Sequence, residues 1–267
     1  MMPAKVNFPD RRNKVRIRRQ TFLMLGLTLK GGFGMDIYYH TAKLILRIYQ
    51  TVFHQDRHVG GELDPGPGPK IIAANHPNAS DGFHIPFIFQ QKLYFFMQAD
   101  IFSIPFFGWL LARNGQIPVL PTQNKAALER GYELLAHGQS VVIFPEGRLN
   151  PDNQHVKAGC GAIWMSLMTG AAILPMGFFV PTQNVHNLVI RKDGRQRQGR
   201  WQTGGRCYIR IGRCWFPRQE IDGKLNSMAV HKLTDCLMEK IETLAHMAYL
   251  DWAGEKELLR EESHAAF

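Results

Sequence analysis

Long apolar stretches and paired cysteines are both missing from this sequence of 267 residues. No run of 18 apolar residues occurs, so a standard transmembrane helix is not expected. The four cysteines include no Cys-x-x-Cys pair, which argues against a zinc site and, in a chain of this length, against a disulfide framework. We therefore expect reduced thiols in a cytosolic compartment.

Positive charge is plentiful but unevenly distributed. Of the net charge of +10, residues 1–19 contribute +6 and residues 191–218 contribute +8, which leaves −4 for the rest of the chain. Two basic segments on a nearly neutral body indicate an anionic partner, such as nucleic acid, acidic lipid headgroups or phosphorylated metabolites. Solvated basic tails or loops would give the same pattern, so charge alone leaves the partner open.

The first sixty residues contain two apolar segments of different kinds. Residues 22–29 follow the pair Arg18-Arg19 as in an export signal, but the run is short and no Ala-x-Ala site follows, so we expect no export. Residues 36–53 place apolar side chains at helical spacing, which predicts an amphipathic helix. Such a helix either lies in a membrane interface or packs on the protein, and the pattern fits both.

These patterns divide the sequence into three segments. Residues 1–60 form a basic arm and an amphipathic helix, interpreted as a membrane-docking segment. Residues 61–252 form the main domain, which opens on a Pro/Gly-rich loop at residues 64–70. Residues 253–267 form a charged tail that we expect to fray.

The main domain alternates short apolar runs with helical patterns. This alternation predicts an α/β fold with a mostly parallel central sheet flanked by helices, preceded by the N-terminal amphipathic helical segment. Strands are predicted at residues 70–75, 93–98, 117–120, 140–144 and 173–180, and helices at residues 80–91, 105–113, 124–137 and 157–169. Beyond residue 181 the sequence predicts a long loop at 182–205, an edge strand at 207–215 and a helix at 226–252.

Polar side chains follow the first of these apolar runs in the segment Asn75-His76-x-x-x-x-Asp81. Pro77 stops the strand, and a turn after it would let Asp81 fold back to the imidazole of His76. A carboxylate on one ring nitrogen fixes the tautomer and leaves the other nitrogen as a base. A structural hydrogen bond in a helix-capping loop would account for the same residues.

The run at 140–144 ends in Phe144-Pro145-Glu146-Gly147, followed by Arg148. Pro145 ends the strand because it cannot donate to a sheet ladder. Glu146 and Arg148 are then presented at the edge of the sheet, either as part of a site or as a surface ion pair. A base, its orienting carboxylate and an anion-binding pair together indicate proton abstraction from a hydroxyl beside a charged substrate.

These two motifs, read together, resemble those of the glycerolipid (lysophospholipid) acyltransferase family, the 1-acylglycerol-3-phosphate acyltransferases. Three further segments resemble the same family: the lysine-glycine start of a helix at 157–162, a strand with an internal proline at 172–177, and a short strand at 115–119. The resemblance covers about residues 70–180. The flanking regions match only in general character.

The resemblance implies transfer of a fatty acyl group from a thioester, on coenzyme A or acyl carrier protein as co-substrate, to a hydroxyl. His76 would act as general base, oriented by Asp81. Asn75, Glu146 and Gly147 would belong to the acceptor site, and Arg148 would hold a phosphate or another anion. No cofactor is implied.

Two positions depart from the pattern of family members that act on phosphatidate precursors. Arg148-Leu149-Asn150 stands where they commonly carry Thr-Arg-Ser, and Leu120-Pro121 stands where they often have an arginine. The acceptor headgroup is therefore left open.

The expected partners are a membrane surface with anionic lipid, the acyl thioester and a lysolipid acceptor, with the protein peripheral on the cytoplasmic side. The alternative is a non-enzymatic protein that binds nucleic acid or anionic lipid through residues 191–218, although no nucleic-acid motif fits that region. His76, Asp81, His84 and Glu146 lack His-x-x-x-His spacing, so we expect no metal site.

Overall fold

The computed structural model of the protein describes residues 37–53, 56–62, 66–120, 124–152, 154–192, 195–221 and 225–265. The predicted basic arm and the apolar run at 22–29 lie outside the described residues. The contacts between residues divide the chain into two units, residues 1–35 and residues 36–267. All described residues belong to the second unit.

A seven-stranded sheet forms the centre of this unit, in the order β1-β9-β6-β2-β5-β3-β4. Every neighbouring pair is parallel except β6 and β9, so the prediction of a mostly parallel sheet is confirmed. The strands are β1 (Asp56–Gly61), β2 (Lys70–Ala74), β3 (Leu93–Gln98), β4 (Ile117–Val119), β5 (Ser140–Ile143), β6 (Ala172–Phe179) and β9 (Arg206–Ile211). A separate two-stranded sheet pairs β7 (Val185–Lys192) with β8 (Arg195–Gln202).

The described residues form five α-helices around the sheet: α1 (Ile37–Phe53), α2 (Phe107–Arg113), α3 (Asn124–Ala136), α4 (Gly161–Thr169) and α5 (Ser227–Ala265). Helix α5 packs directly against β6. A Cβ atom on Gly177 would lie 2.1 Å from the backbone nitrogen of Ala245, so only glycine permits this close approach. Within the described residues, no helix combines the length and the apolar character needed to cross a bilayer.

The core lies on both faces of the sheet, and β2 contributes to both. Ile71 and Ala73 belong to one buried cluster, and Ile72 and Ala74 belong to the other. This division follows from the two-residue period of a strand. Burying an isoleucine side chain completely stabilises the fold by about 1.5–3 kcal/mol, which explains why residues 71–74 of this central strand are all apolar.

The helix predicted at residues 80–91 is not present. The segment instead forms two short 3₁₀ turns, Asp81–Phe83 and Ile85–Phe87. Pro86 lacks the N–H that a helix interior needs, and the Asp81 carboxylate accepts a hydrogen bond from the backbone nitrogen of Asn78. The segment therefore remains close to β2, with Asp81 beside His76.

The predictions beyond residue 181 need three corrections. The expected long loop at 182–205 is mostly the hairpin β7–β8. The expected edge strand is β9, which lies inside the sheet because β1, absent from the sequence prediction, pairs with it. Helix α5 continues to Ala265, past the point where the sequence predicts a frayed tail.

Helix α1 has the bounds predicted from its periodicity, but two of its faces have different surroundings. Tyr49 donates a hydrogen bond to the carbonyl of Gln202, and the side chain of Gln50 donates to the carbonyl of Phe83. The aliphatic side chains remain exposed, with Leu44 at 59% and Ile48 at 56%. The helix thus packs on the domain and still presents an apolar stripe to the outside.

Candidate active site

Two neighbouring parallel strands bring the predicted motifs to one edge of the sheet. His76 follows β2, and Phe144 follows β5. These strands are paired with Ile71 opposite Val141. Because parallel strands end at the same edge, residues that are distant in the sequence meet there.

His76 is held by contacts with both motifs. Its Nδ1 lies 3.4 Å from Oδ2 of Asp81, and its ring stacks on Phe144 with centroids 4.0 Å apart and planes 13° from parallel. The backbone nitrogen of Asn150 donates a 2.8 Å hydrogen bond to the His76 carbonyl. With Nδ1 directed at Asp81, Nε2 is the nitrogen available to the cavity that His76 lines.

Asp81 is completely buried. Its Oδ2 accepts a 2.6 Å hydrogen bond from the backbone nitrogen of Asn78, in addition to the contact with His76. Burial raises the pKa of the Asp81 carboxyl, while His76 and Asn78 act in the opposite direction. The contacts with His76 and Asn78 hold the Asp81 side chain in place, away from solvent.

The His76 side of the sheet opens into a cavity of about 1310 Å³. Its wall is mainly aromatic and aliphatic, and it includes Leu46, Phe83, Phe95, Phe96, Trp164 and Trp201. Gly147 and Arg148 line the same cavity. Gly147 has a φ of +66°, a conformation that favours glycine, and this turn directs the chain towards Arg148.

Glu146 and Asn75 face elsewhere. Both line a second cavity of about 320 Å³ beneath α5. The amide of Asn75 bonds the backbone of Phe178 through both of its polar atoms. The predicted site residues thus divide into two groups: His76, Gly147 and Arg148 line the large cavity, whereas Asn75 and Glu146 line the small one.

The carboxyl of Glu146 is unusual in its environment. It is buried, and burial raises its pKa to about 7. Interaction with Asn150 and with the charge of His76 lowers the pKa, but by less. Its Oε2 has no hydrogen-bond partner among the described residues. Glu146 therefore interacts electrostatically with His76 but lines the small cavity instead of the large one.

Sequence reasoning missed the contribution of the hairpin to this site. Gly199 and Trp201 of β8 line the large cavity, and the backbone nitrogen of Ala79 donates a 2.7 Å hydrogen bond to the Arg200 carbonyl. The sequence contained one signal for the hairpin: Asp193-Gly194, a favoured two-residue connection between strands.

His84, considered above as a metal ligand, instead contacts side-chain amides. Its Nδ1 lies 3.3 Å from Nε2 of Gln50, and its Nε2 lies 3.2 Å from Oε1 of Gln202. These contacts connect α1, the segment after Asp81 and β8. Within the part of the chain that the structure describes, no group of three or more His, Cys, Asp or Glu side chains is arranged to hold a metal ion.

Part of the chain is similar to known proteins. Residues 56–178 match the model of the family described as Acyltransferase. The 1-acyl-sn-glycerol-3-phosphate acyltransferase of Pseudomonas aeruginosa is 31% identical over 112 residues, which are 40% of this chain and 43% of that protein. The chloroplastic 1-acyl-sn-glycerol-3-phosphate acyltransferase LPAT1 of Arabidopsis thaliana is 30% identical over 111 residues, which are 40% of this chain and 31% of that protein. The matched region therefore spans less than half of either relative.

A solved structure has the same fold. The 1-acyl-sn-glycerophosphate (LPA) acyltransferase PlsC from Thermotoga maritima superposes with a TM-score of 0.51 and 20% sequence identity, covering 78% of this chain and 77% of that one. At this level of identity the match describes the architecture, and it agrees with the mostly parallel sheet flanked by helices.

Proposed function

We propose that the chain, whose residues 56–178 match the model of the Acyltransferase family, transfers a fatty acyl group from an acyl thioester to a hydroxyl of a lysophospholipid or another glycerolipid. The observation that carries the proposal is the position of His76 in the wall of a large, mainly apolar cavity, with Asp81 at its Nδ1. The curated relatives named above are acyltransferases acting on 1-acyl-sn-glycerol-3-phosphate.

The proposed chemistry needs one base and no covalent enzyme intermediate. Nε2 of His76 takes the proton from the acceptor hydroxyl, whose oxygen attacks the thioester carbonyl. The tetrahedral intermediate then collapses, the carbon–sulfur bond breaks, and the imidazolium returns the proton to the departing thiolate. Asp81 keeps the proton on Nδ1 and stabilises the imidazolium. A thioester is already activated, so direct attack is sufficient.

The large cavity suits an acyl chain. Each methylene group moved from water into an apolar wall contributes about 0.8 kcal/mol, so a long chain binds strongly where Phe83, Phe95 and Phe96 form the lining. Coenzyme A or acyl carrier protein, the proposed carriers, would remain outside while the chain enters.

Arg148 is the proposed ligand of an anionic acceptor headgroup. It is exposed and lines the cavity that contains His76. A guanidinium binds phosphate or carboxylate oxygens with paired hydrogen bonds. Glu146, which resists ionisation up to a pH of about 7, would add little repulsion towards such an anion.

We further propose that the protein works at a membrane surface, on the cytoplasmic side. Support comes from α1, which exposes a stripe of aliphatic side chains. Leu46 and Tyr49 of the same helix line the large cavity. The neighbouring Phe106 and Trp109 of the α2 region are also exposed, as suits residues at a bilayer interface. A lipid leaving the bilayer at α1 would then have a short route to His76.

The test of the reaction is acyl transfer from an acyl thioester to a panel of lysolipids. We expect wild-type protein to be active and His76→Ala to lose at least about a hundredfold in turnover, since general-base catalysis contributes roughly that much or more. His137→Ala, which changes an exposed histidine at the end of α3, is the matched control. Wild-type turnover in a folded His76→Ala protein would refute the assignment of the base.

A further inference from the structure

The hairpin β7–β8 is a separate two-stranded sheet with an unusual composition. Its strands pair from Val185 opposite Gln202 to Lys192 opposite Arg195. Residues 185–202 contain five Lys or Arg and one Asp, a net charge of +4. This is a strong concentration of positive charge on an element that lies outside the segment matched by the family model.

The hairpin also exposes aliphatic side chains. Leu188 is 46% exposed and Val189 is 47% exposed. Consecutive residues of a strand point to opposite faces, so both faces of the hairpin are partly exposed at this position. A partner bound only through electrostatic contacts with phosphates would not require exposed aliphatic side chains.

The base of the hairpin is fixed to the candidate active site. The backbone nitrogen of Gln202 donates a 3.1 Å hydrogen bond to Oγ of Ser80, and Tyr49 of α1 donates a 2.9 Å hydrogen bond to the Gln202 carbonyl. Trp201 lines the large cavity. One end of the hairpin therefore contacts α1 and lines the large cavity. Residues 186–189 of the hairpin are exposed.

We propose that the hairpin at residues 185–202 is a second element that contacts an anionic lipid bilayer, beside α1. The hairpin enters the interface with its edge, so that Leu188 on one face and Val189 on the other both contact lipid, and the basic residues of the hairpin sequence bind acidic headgroups. Burial of apolar surface and attraction of Lys or Arg to anionic lipid reinforce each other at such an interface. This inference rests on the proposed function, because a hairpin bound to the bilayer would keep the opening of the large cavity at the membrane surface.

Binding to vesicles tests the charge component. The probes are vesicles of phosphatidylcholine alone and of phosphatidylcholine with phosphatidylglycerol, assayed by co-sedimentation at low and high salt. We expect Arg195→Gln combined with Arg197→Gln to weaken binding to the anionic vesicles on the order of tenfold, and to reduce the effect of salt. The matched control combines Arg213→Gln with Lys232→Gln, which removes the same charge from exposed residues outside the hairpin.

A second pair of variants tests the apolar component independently. Leu188→Ser with Val189→Ser should weaken binding severalfold at high salt, where attraction between charges is screened. Leu258→Ser with Leu259→Ser, which changes exposed leucines of α5, should leave binding unchanged. Circular dichroism verifies the folding of each protein.

Two results would overturn the inference. One is that both double variants of the hairpin, the arginine pair and the Leu188–Val189 pair, bind vesicles as strongly as the wild-type protein. The other is preferential binding of wild-type protein to duplex DNA or RNA, lost in the arginine pair, which would identify the hairpin as a nucleic-acid surface. Acyl transfer by the wild-type protein to lysolipid in detergent micelles is measured in parallel, and its absence would contradict the proposed reaction without affecting the vesicle result.

Discussion

The imidazole of His76 lies flat on the ring of Phe144, with the two centroids 4.0 Å apart. This stack joins the segment after β2 to the segment after β5. It restricts rotation of the histidine ring about its side-chain bonds, whereas Asp81 lies 3.4 Å from Nδ1 and, in the proposed mechanism, selects which ring nitrogen carries the proton. Phe144 is therefore a positioning residue for the proposed base.

Replacing Phe144 tests this role. Phe144→Leu keeps an apolar side chain but removes the flat surface, so we expect kcat to fall about tenfold to a hundredfold, as misplacement of a reacting group by about 1 Å can cost that much. KM should change much less. Phe144→Tyr, which retains the ring, should restore most of the turnover. Equal kcat values for the leucine variant and the wild type would show that the stack has no part in the reaction.

Asp81 is expected to be the more sensitive partner of His76. Asp81→Asn retains the shape of the side chain but loses the negative charge that stabilises the imidazolium and selects the tautomer. We expect kcat to fall about 10²- to 10⁴-fold with the protein still folded. Asp152→Asn, at an exposed position, is the control, and steady-state kinetics on both variants provides the measurement. A fall of less than about threefold at Asp81 would contradict the proposed pair.

The buried carboxyl of Glu146 should make stability depend on pH. Its pKa is about 7 in the fold against an ordinary value of 4.5, so between these values the folded protein binds more protons than the unfolded chain. Linkage then requires the free energy of unfolding to decrease as pH rises from about 4.5 to 7. The difference amounts to on the order of 3 kcal/mol.

Urea denaturation of the wild type and of Glu146→Gln at several pH values measures this effect. The glutamine variant cannot ionise, so relative to the wild type it should gain stability as pH rises towards 8. Glu133→Gln, at an exposed position of α3, should follow the wild-type curve. Parallel curves for the wild type and Glu146→Gln would show that Glu146 does not titrate in this range.

Substitutions on the two faces of α1 should affect membrane binding and stability separately. Leu44→Ser with Ile48→Ser removes exposed aliphatic surface, so we expect weaker binding to vesicles and little change in the free energy of unfolding. Tyr49→Phe removes the hydrogen bond to Gln202 and should cost about 1 kcal/mol of stability, with vesicle binding retained. Vesicle co-sedimentation and urea denaturation distinguish the outcomes, and loss of stability in the serine pair would place those side chains in the core instead.

Much of the fold could be predicted because its signals are local. Apolar runs identified β2, β5 and β6, and helical periodicity identified α1, α3 and α5. The errors arose where tertiary structure overrides local patterns. Residues 80–91 have an apolar content that suits a helix, yet Pro86 and the side-chain hydrogen bonds of Asp81 hold the segment in 3₁₀ turns. The hairpin was missed because its polar, glycine-containing sequence resembles a loop, although the two strands satisfy each other's backbone groups.

In the candidate site, too, local sequence signals predicted some features and long-range packing determined the others. The sequence alone determined which chemical groups are present and where their strands stop, because Pro77 and Pro145 cannot continue a sheet ladder and the residues after them must leave it. Long-range packing places β2 beside β5, so that His76 contacts Phe144, and directs Glu146 to the small cavity under α5 instead of the large one. The reason is physical: steric limits on the backbone act between neighbouring residues, whereas strand order and the facing of a side chain depend on burying surfaces contributed by distant parts of the chain.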